Sequence, residues 1–282
     1  MSLYPEEGEN FLKRYDQAGK AKWLILVIAA GILLLGVILY AGGRWLETRS
    51  VEEARGDLTQ TEAVETQEYN GVTYQRREGL TSILVMGVDH DSAVESEGAY
   101  QGGQGDFQRL IVIDPERQVI RQLKIDRDTM TECTVLGYLG SPIGTKEMQI
   151  SLAHGFGDGK EESCEYAREA VEGLLLGESI DFYVAMNMDG ISELNDLAEK
   201  IRASEQFTAD LYDALQPYLV TDMARGRIIN ETWNARAYTL EEPCQITGEH
   251  RVAEDGFTEF YPDADSIRQA VLELFWEPVE TN

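Results

Sequence analysis

No residue between Trp23 and Gly43 (WLILVIAAGILLLGVILYAGG) carries a charge. About 20 apolar residues cross a bilayer as a helix, because a helix satisfies its own backbone polar groups. A cleaved signal peptide has a shorter apolar core, about 7–15 residues, ending in an A-x-A-like site. The run has neither property, so residues 23–43 are read as a single transmembrane helix. Lys13, Arg14, Lys20 and Lys22 precede it, whereas Arg44 and Arg49 follow it beside Glu47, Glu52 and Glu53. Basic excess on the short side predicts a cytoplasmic N-terminus and a C-terminal domain outside the cell membrane.

Charge sharpens this picture. The chain has 24 Lys+Arg against 51 Asp+Glu, a net of −27. The first 22 residues balance, so the excess lies beyond the apolar run. Such a field repels phosphate backbones and argues against a nucleic-acid partner. It leaves room for a local site that takes a divalent cation. Three Cys (133, 164, 244) and three His (90, 154, 250) stand far apart, which excludes a zinc finger. The odd Cys count leaves at least one thiol unpaired or paired between chains.

The expected organisation is a cytoplasmic tail (1–22), the span (23–43), a polar juxtamembrane stalk (44–78), a domain (79–200) and a helical C-terminal extension (201–282). Asn70-Gly71 between Glu68 and Tyr74 is a hairpin signal, since Asn-Gly tolerates the positive φ angles of a type I′ turn. Leu80–Val88, Arg109–Ile113, Val119–Ile125 and Ile180–Met186 read as strands, the middle two joined by a turn at Asp114-Pro115-Glu116-Arg117. Helices are predicted at about 160–176, ended by Gly177, and about 265–275. A further helical pattern runs from Asp189 through Leu211, Leu215 and Leu219. Mixed strands and helices predict an α/β (α+β) fold with a mixed β-sheet flanked by helices.

Chemistry-bearing residues fall at strand ends. Asp89 ends the first apolar strand, Asp106 precedes the next, and Arg127 and Asp128 follow Val119–Ile125. The long Gly-rich loop 89–106 lies between. Groups at strand ends converge on one rim of a sheet, where α/β folds place ligands. Asp89 and Asp106 could hold Mg²⁺ through oxygen, and Arg127 could bind a diphosphate bidentately. The alternative is three solvated loop charges.

Five segments in order extend this reading: Leu80–Asp89 (LTSILVMGVD), Gly103–Asp114 (GQGDFQRLIVID), Leu123–Glu132 (LKIDRDTMTE), Gln149–Asp158 (QISLAHGFGD) and Ile180–Leu197 (IDFYVAMNMDGISELNDL). Together they resemble the LytR-CpsA-Psr family of Gram-positive cell envelopes, also called the cell envelope-related transcriptional attenuator domain. The resemblance implies a membrane-anchored phosphotransferase that moves glycopolymers from polyprenyl-diphosphate carriers to peptidoglycan. It implies Mg²⁺ at Asp89 and Asp106, with Arg127 on the diphosphate and Asp128 beside it as catalytic residues. The prenyl tail needs an apolar slot, for which Leu174, Leu175 and Val184 are the candidates, with core packing as the alternative. Asp91 stands where members often have Arg, Asp126 where Pro is usual, and Gln149-Ile150-Ser151 where many have Lys-Ile-Asn. Asp91 removes one phosphate contact that the resemblance implies, whereas the differences at Asp126 and Gln149-Ile150-Ser151 resemble a clostridial-type subgroup.

One departure is larger. After the LNDL-like helix, members continue into a Gly-Gly-Val strand, an Arg-x-Arg pair and an Arg-x-x-Gln helix. Here Leu197 runs almost directly into Ile201-Arg202-Ala203, as if several dozen residues were deleted. Arg225-Gly226-Arg227 imitates the missing pair but lies in a tail-like segment, where a surface-charge reading also explains it. Two function classes stay open: a transferase, impaired by loss of the second Arg cluster, and a non-catalytic polyprenyl-phosphate-binding or structural envelope protein. Direct transcriptional control is disfavoured by the charge and by the lack of a basic DNA-reading helix.

Overall fold

The computed structural model describes residues 65–89, 103–190 and 205–279. The expected cytoplasmic tail and membrane span, Asp91 and the junction at 197–200 lie outside these residues. Among the described residues, no helix is long and apolar enough to cross a membrane.

The chain enters through the hairpin of β1 (Thr66–Tyr69) and β2 (Val72–Arg76). Tyr69 faces Val72, and Asn70 and Gly71 have φ of 52° and 77°. This is the two-residue type I′ turn expected from Asn-Gly. Next come β3 (Thr81–Val88), β4 (Gly105–Asp114) and β5 (Val119–Ile125), successive antiparallel neighbours. A separate hairpin follows, β6 (Met130–Leu136) with β7 (Pro142–Gln149), and then a 3-10 segment, Ile150–Gly155. Helix α1 (Glu161–Leu174) leads to β8 (Phe182–Asn187), which lies parallel to β3.

The remaining chain is α2 (Glu205–Leu215), β9 (Leu219–Thr221), α3 (Arg225–Ala235), β10 (Thr239–Leu240), β11 (Cys244–Gln245), β12 (Gly248–Val252), β13 (Thr258–Pro262), α4 (Ala264–Phe275) and β14 (Trp276–Pro278). The main sheet has the order β10-β5-β4-β3-β8-β9, with β11 also on β5. It mixes parallel and antiparallel pairs and is flanked by helices, an α+β architecture.

Register explains the core. Tyr183, Leu84, Leu110 and Leu123 are directly paired across β8, β3, β4 and β5. All four are at most 1% exposed. Because side chains alternate along a strand, they form one apolar row on one face. Cys164, Ala167, Val171 and Leu174 of α1 and Val271, Leu274 and Phe275 of α4 join the same cluster. Burying each large side chain contributes about 1.5–3 kcal/mol. Glu161 and Glu162 oppose the positive end of the α1 dipole. Leu176 and Gly177, both left-handed, stop the helix where Gly177 was expected to.

The segment beyond residue 200 differs from the helical extension expected. It supplies three strands of the main sheet, and β14 completes the β1-β2 sheet by pairing with β2. Leu219, expected on a helix, pairs with Met186 in β9. Pro217 lies in the 3-10 turn Gln216–Tyr218, which ends the helix before Leu219. The nominal stalk likewise contains β1 and β2.

Candidate functional site

Arg127 follows β5, and Asp106 begins the antiparallel neighbour β4, so the two meet at one rim. Arg127 Nη1 lies 3.0 Å from Asp106 Oδ2, and Nη2 donates to Gln104 Oε1 at 2.8 Å. Arg127 Nε is 3.8 Å from Asp128 Oδ1. The Arg127 and Asp106 side chains are 45% and 37% exposed. An ion pair so solvated is worth at most about 1 kcal/mol. Asp106 therefore orients the guanidinium at little cost to an exchange of partners.

Asp89 reaches the same rim through its backbone. Its N–H donates to Gln104 O at 2.9 Å, directly beside the Gln104 that holds Arg127. A Cβ on Gly103, whose φ is 64°, would sit 2.6 Å from Asp89 O, so this crossing requires glycine. His154 supports it from below, with Nδ1 3.3 Å from Gly103 O. Its Nε2 lies 3.6 Å from Cys164 Sγ. Burial pushes the Cys164 thiol up, so the proton stays on sulfur.

The loop that carries Arg127 is tied on all sides. Asp128 N–H donates to Asp126 Oδ1 at 3.0 Å, and Thr129 Oγ1 donates to Asp126 O at 2.7 Å. Ser151 N–H donates to Arg127 O at 3.2 Å. From the C-terminal segment, Phe260 N–H donates to Asp128 O at 2.8 Å, and His250 Nε2 lies 3.2 Å from Asp126 Oδ2. Gln149 Nε2 reaches Asp128 Oδ1 at 3.4 Å and donates to Thr258 O. Sequence reasoning missed His154, His250 and Gln104. Their roles depend on contacts across 124 residues for His250 and 51 for His154, and no local pattern signals these.

A cleft of about 650 Å³ opens here, lined by Arg127, Asp128, Met148, Gln149 and the turn 255–258. Asp106 offers a hard oxygen donor at this rim, beside the backbone of Asp89. One or two carboxylates completed by water and substrate phosphate suit Mg²⁺, so the donor set fits. Among the described residues no three metal-ligating side chains converge.

The other expected residues fall elsewhere. Leu174 and Leu175 are buried in the central core, at 5% and 0% exposure. Val184 alternates with the buried Tyr183 and Ala185 and so points to the other face of β8. As placed, the three do not share a slot. Arg227 stacks 4.7 Å above the Phe182 ring and donates to Thr81 Oγ1 at 3.3 Å. Thr81 and Phe182 begin β3 and β8, whereas Arg127 sits at the rim where β3 ends. Eight strand residues separate the two ends, a span of about 25 Å. Arg225 is engaged with Asp213 on the surface, at 2.7 and 2.8 Å. This pair therefore lies away from the Arg127 rim.

The LytR_cpsA_psr family matches residues 47–215. The chain is 31% identical over 126 residues to the polyisoprenyl-teichoic acid–peptidoglycan teichoic acid transferase TagU of Halalkalibacterium halodurans. That stretch is 45% of this chain and spans about a third (35%) of the relative's length. Among solved structures it resembles TagV of B. subtilis, with a TM-score of 0.53 and 17% identity over 70% of this chain and 97% of that one. The protein gbs0355 of Streptococcus agalactiae gives a TM-score of 0.54 and 15% identity over 69% and 87%. At these identities the structures speak for the fold.

Proposed function

Since the chain belongs to the LytR_cpsA_psr family, we propose that it acts at the cell envelope on a polyprenyl-diphosphate-linked glycan, held to the membrane by residues 23–43. The observation that carries this reading is Arg127, poised between Asp106 and Gln104 at the mouth of the 650 Å³ cleft. A guanidinium with two carboxylates at the carboxyl end of a strand suits a diphosphate.

In the transferase reading, Arg127 exchanges its contact with Asp106 for the diphosphate and stabilises charge on the leaving phosphate. A hydroxyl oxygen of peptidoglycan attacks the phosphorus that bears the sugar. The bond from that phosphorus to the bridging oxygen breaks, and prenyl phosphate departs with the electron pair. Asp128, a quarter exposed and held by Gln149, takes the hydroxyl proton. Asp89 and Asp106 would hold Mg²⁺, which supplies further charge neutralisation at the phosphates.

A second reading, a carrier-lipid binder without transfer, is favoured by one observation. Arg225 and Arg227, the pair available to reinforce Arg127, stand away from its rim. One charge-assisted hydrogen bond contributes on the order of 1.5–3 kcal/mol, against the roughly 8 kcal/mol or more that enzymes take off a barrier. The deciding experiment places the full chain in vesicles with a labelled polyprenyl-diphosphate disaccharide and peptidoglycan. Transfer that requires Arg127 and Mg²⁺, and is weakened in Asp106→Ala, establishes the enzyme. Donor binding without transfer establishes the binder. Neither binding nor transfer defeats both.

A further inference from the structure

The wall of the cleft opposite Arg127 comes from the β12–β13 turn, beyond the family-matched residues 47–215. Phe257 lies on that turn, 65% exposed and facing the cleft. A single exposed Phe is ordinary, but the backbone that carries this one is held in place. Gly256 N–H donates to Ala253 O and Ala253 N–H to Phe257 O, both at 2.9 Å. Phe257 N–H donates to Asp255 Oδ1 at 3.2 Å. The turn is in turn fixed to the Arg127 loop through Phe260 with Asp128 and Gln149 with Thr258. The backbone of the turn and that of the Arg127 loop are therefore held together along the cleft.

The lining is acidic on balance. Asp128, Glu147, Asp255 and Glu259 face Arg127 and Lys146, four carboxylates against two cations. Arg127 is already met by Asp106 and Asp128. The volume lies within the range of small-molecule sites, about 300–1,000 Å³. A sugar presents an apolar C–H face that an aromatic ring packs against, and hydroxyls that donate to carboxylates. An added negative charge would meet more like than opposite charges among the lining residues.

We propose that this cleft is a saccharide subsite that takes the sugar next to the diphosphate and selects an uncharged sugar over an anionic one. The proposal rests on the diphosphate reading of Arg127. Phe257 stacks on the ring of the sugar, Asp255 and Glu259 accept from its hydroxyls, and the same carboxylates repel a glycan that carries phosphate or carboxylate.

The test uses the full chain in lipid nanodiscs and three probes: farnesyl diphosphate, farnesyl-diphosphoryl N-acetylglucosamine and farnesyl-diphosphoryl glucuronic acid. The expected result is about tenfold tighter binding of the N-acetylglucosamine probe than of farnesyl diphosphate, what a ring contact with one or two hydrogen bonds supplies. The glucuronic acid probe should gain nothing. Phe257→Ala should abolish the gain and leave farnesyl diphosphate unchanged, and Asp255→Asn with Glu259→Gln should admit the anionic sugar. Equal affinity for the two sugars, or equal weakening of all three probes by Phe257→Ala, overturns the subsite. If farnesyl diphosphate does not bind but free chitobiose does, through Phe257, the diphosphate reading fails and the subsite stands. If neither binds, both fail.

Discussion

Asp114 shows how single residues stabilise the sheet that positions the site. Its side chain is fully buried and accepts from Arg117 N–H at 3.0 Å and from Arg121 Nη1 at 3.2 Å. Burial pushes its carboxyl up, but the Arg117 hydrogen bond and the Arg121 guanidinium outweigh that and hold it below the usual carboxylate range. Asp114→Ala leaves Arg121 with Glu241 as its remaining carboxylate partner and should cost about 3 kcal/mol in urea unfolding, the low end for a broken buried pair. A carboxylate depressed in the fold contributes stability above its unfolded pKa, and that contribution is lost as pH falls below about 4. Asp114→Asn should therefore flatten the acid limb of the stability curve; an unchanged limb would contradict the assignment. The thiols act at the opposite end of the scale. Cys133 and Cys244 are free and buried, and burial pushes both up to about 12. A thiol raised in the fold stabilises below its unfolded pKa, so stability should fall as pH rises above about 9. At pH 8 the folded protein should resist an aromatic disulfide reagent, and denaturant should release all three thiols. Rapid labelling of the folded chain would refute that burial.

At the scale of elements, the turn at Asn70-Gly71 offers a clean test. A Cβ on Gly71 meets nothing within 4 Å, so Gly71→Ala isolates the cost of its φ of 77°. The expected loss is about 1 kcal/mol, measured by thermal unfolding; no loss would mean that the turn is not type I′. This hairpin was legible in the sequence because turn chemistry is local, and so were β3, β5, α1 and α4, through continuous or periodic apolar residues. The hairpin β6–β7 was not. Pro142–Glu147 is exposed throughout, so no apolar alternation marks β7, and its strand character comes from pairing with β6. β12 is exposed along its whole length and is a strand through β13 alone. The site was legible in the same uneven way. Asp106, Arg127 and Asp128 meet as strand-end logic predicts, since antiparallel neighbours bring one strand's end to the next one's start. Gln104, His154 and His250 are chosen by tertiary contacts. Leu174, Leu175 and Val184 were grouped by apolar character, which does not tell one face of a sheet from the other.

At the scale of the whole molecule, the proposed topology puts the charge-balanced first 22 residues inside the cell and the acidic remainder outside it. Protease added to intact cells should remove the domain beyond about residue 44 and spare the first 22 residues, the orientation set by Lys13, Arg14, Lys20 and Lys22. A domain protected from outside would reverse that topology. The central claim is that diphosphate binding belongs to the Arg127 rim and to no other cationic site. Titration of farnesyl diphosphate into the full chain in nanodiscs, with Mg²⁺, tests it in three proteins: unaltered, Arg127→Ala, and Arg225→Ala with Arg227→Ala. Loss of a charge-assisted contact of about 1.5–3 kcal/mol should weaken binding at least tenfold in Arg127→Ala, while the double variant binds like the unaltered chain. Undiminished binding in Arg127→Ala, or its loss in the double variant, would contradict the account.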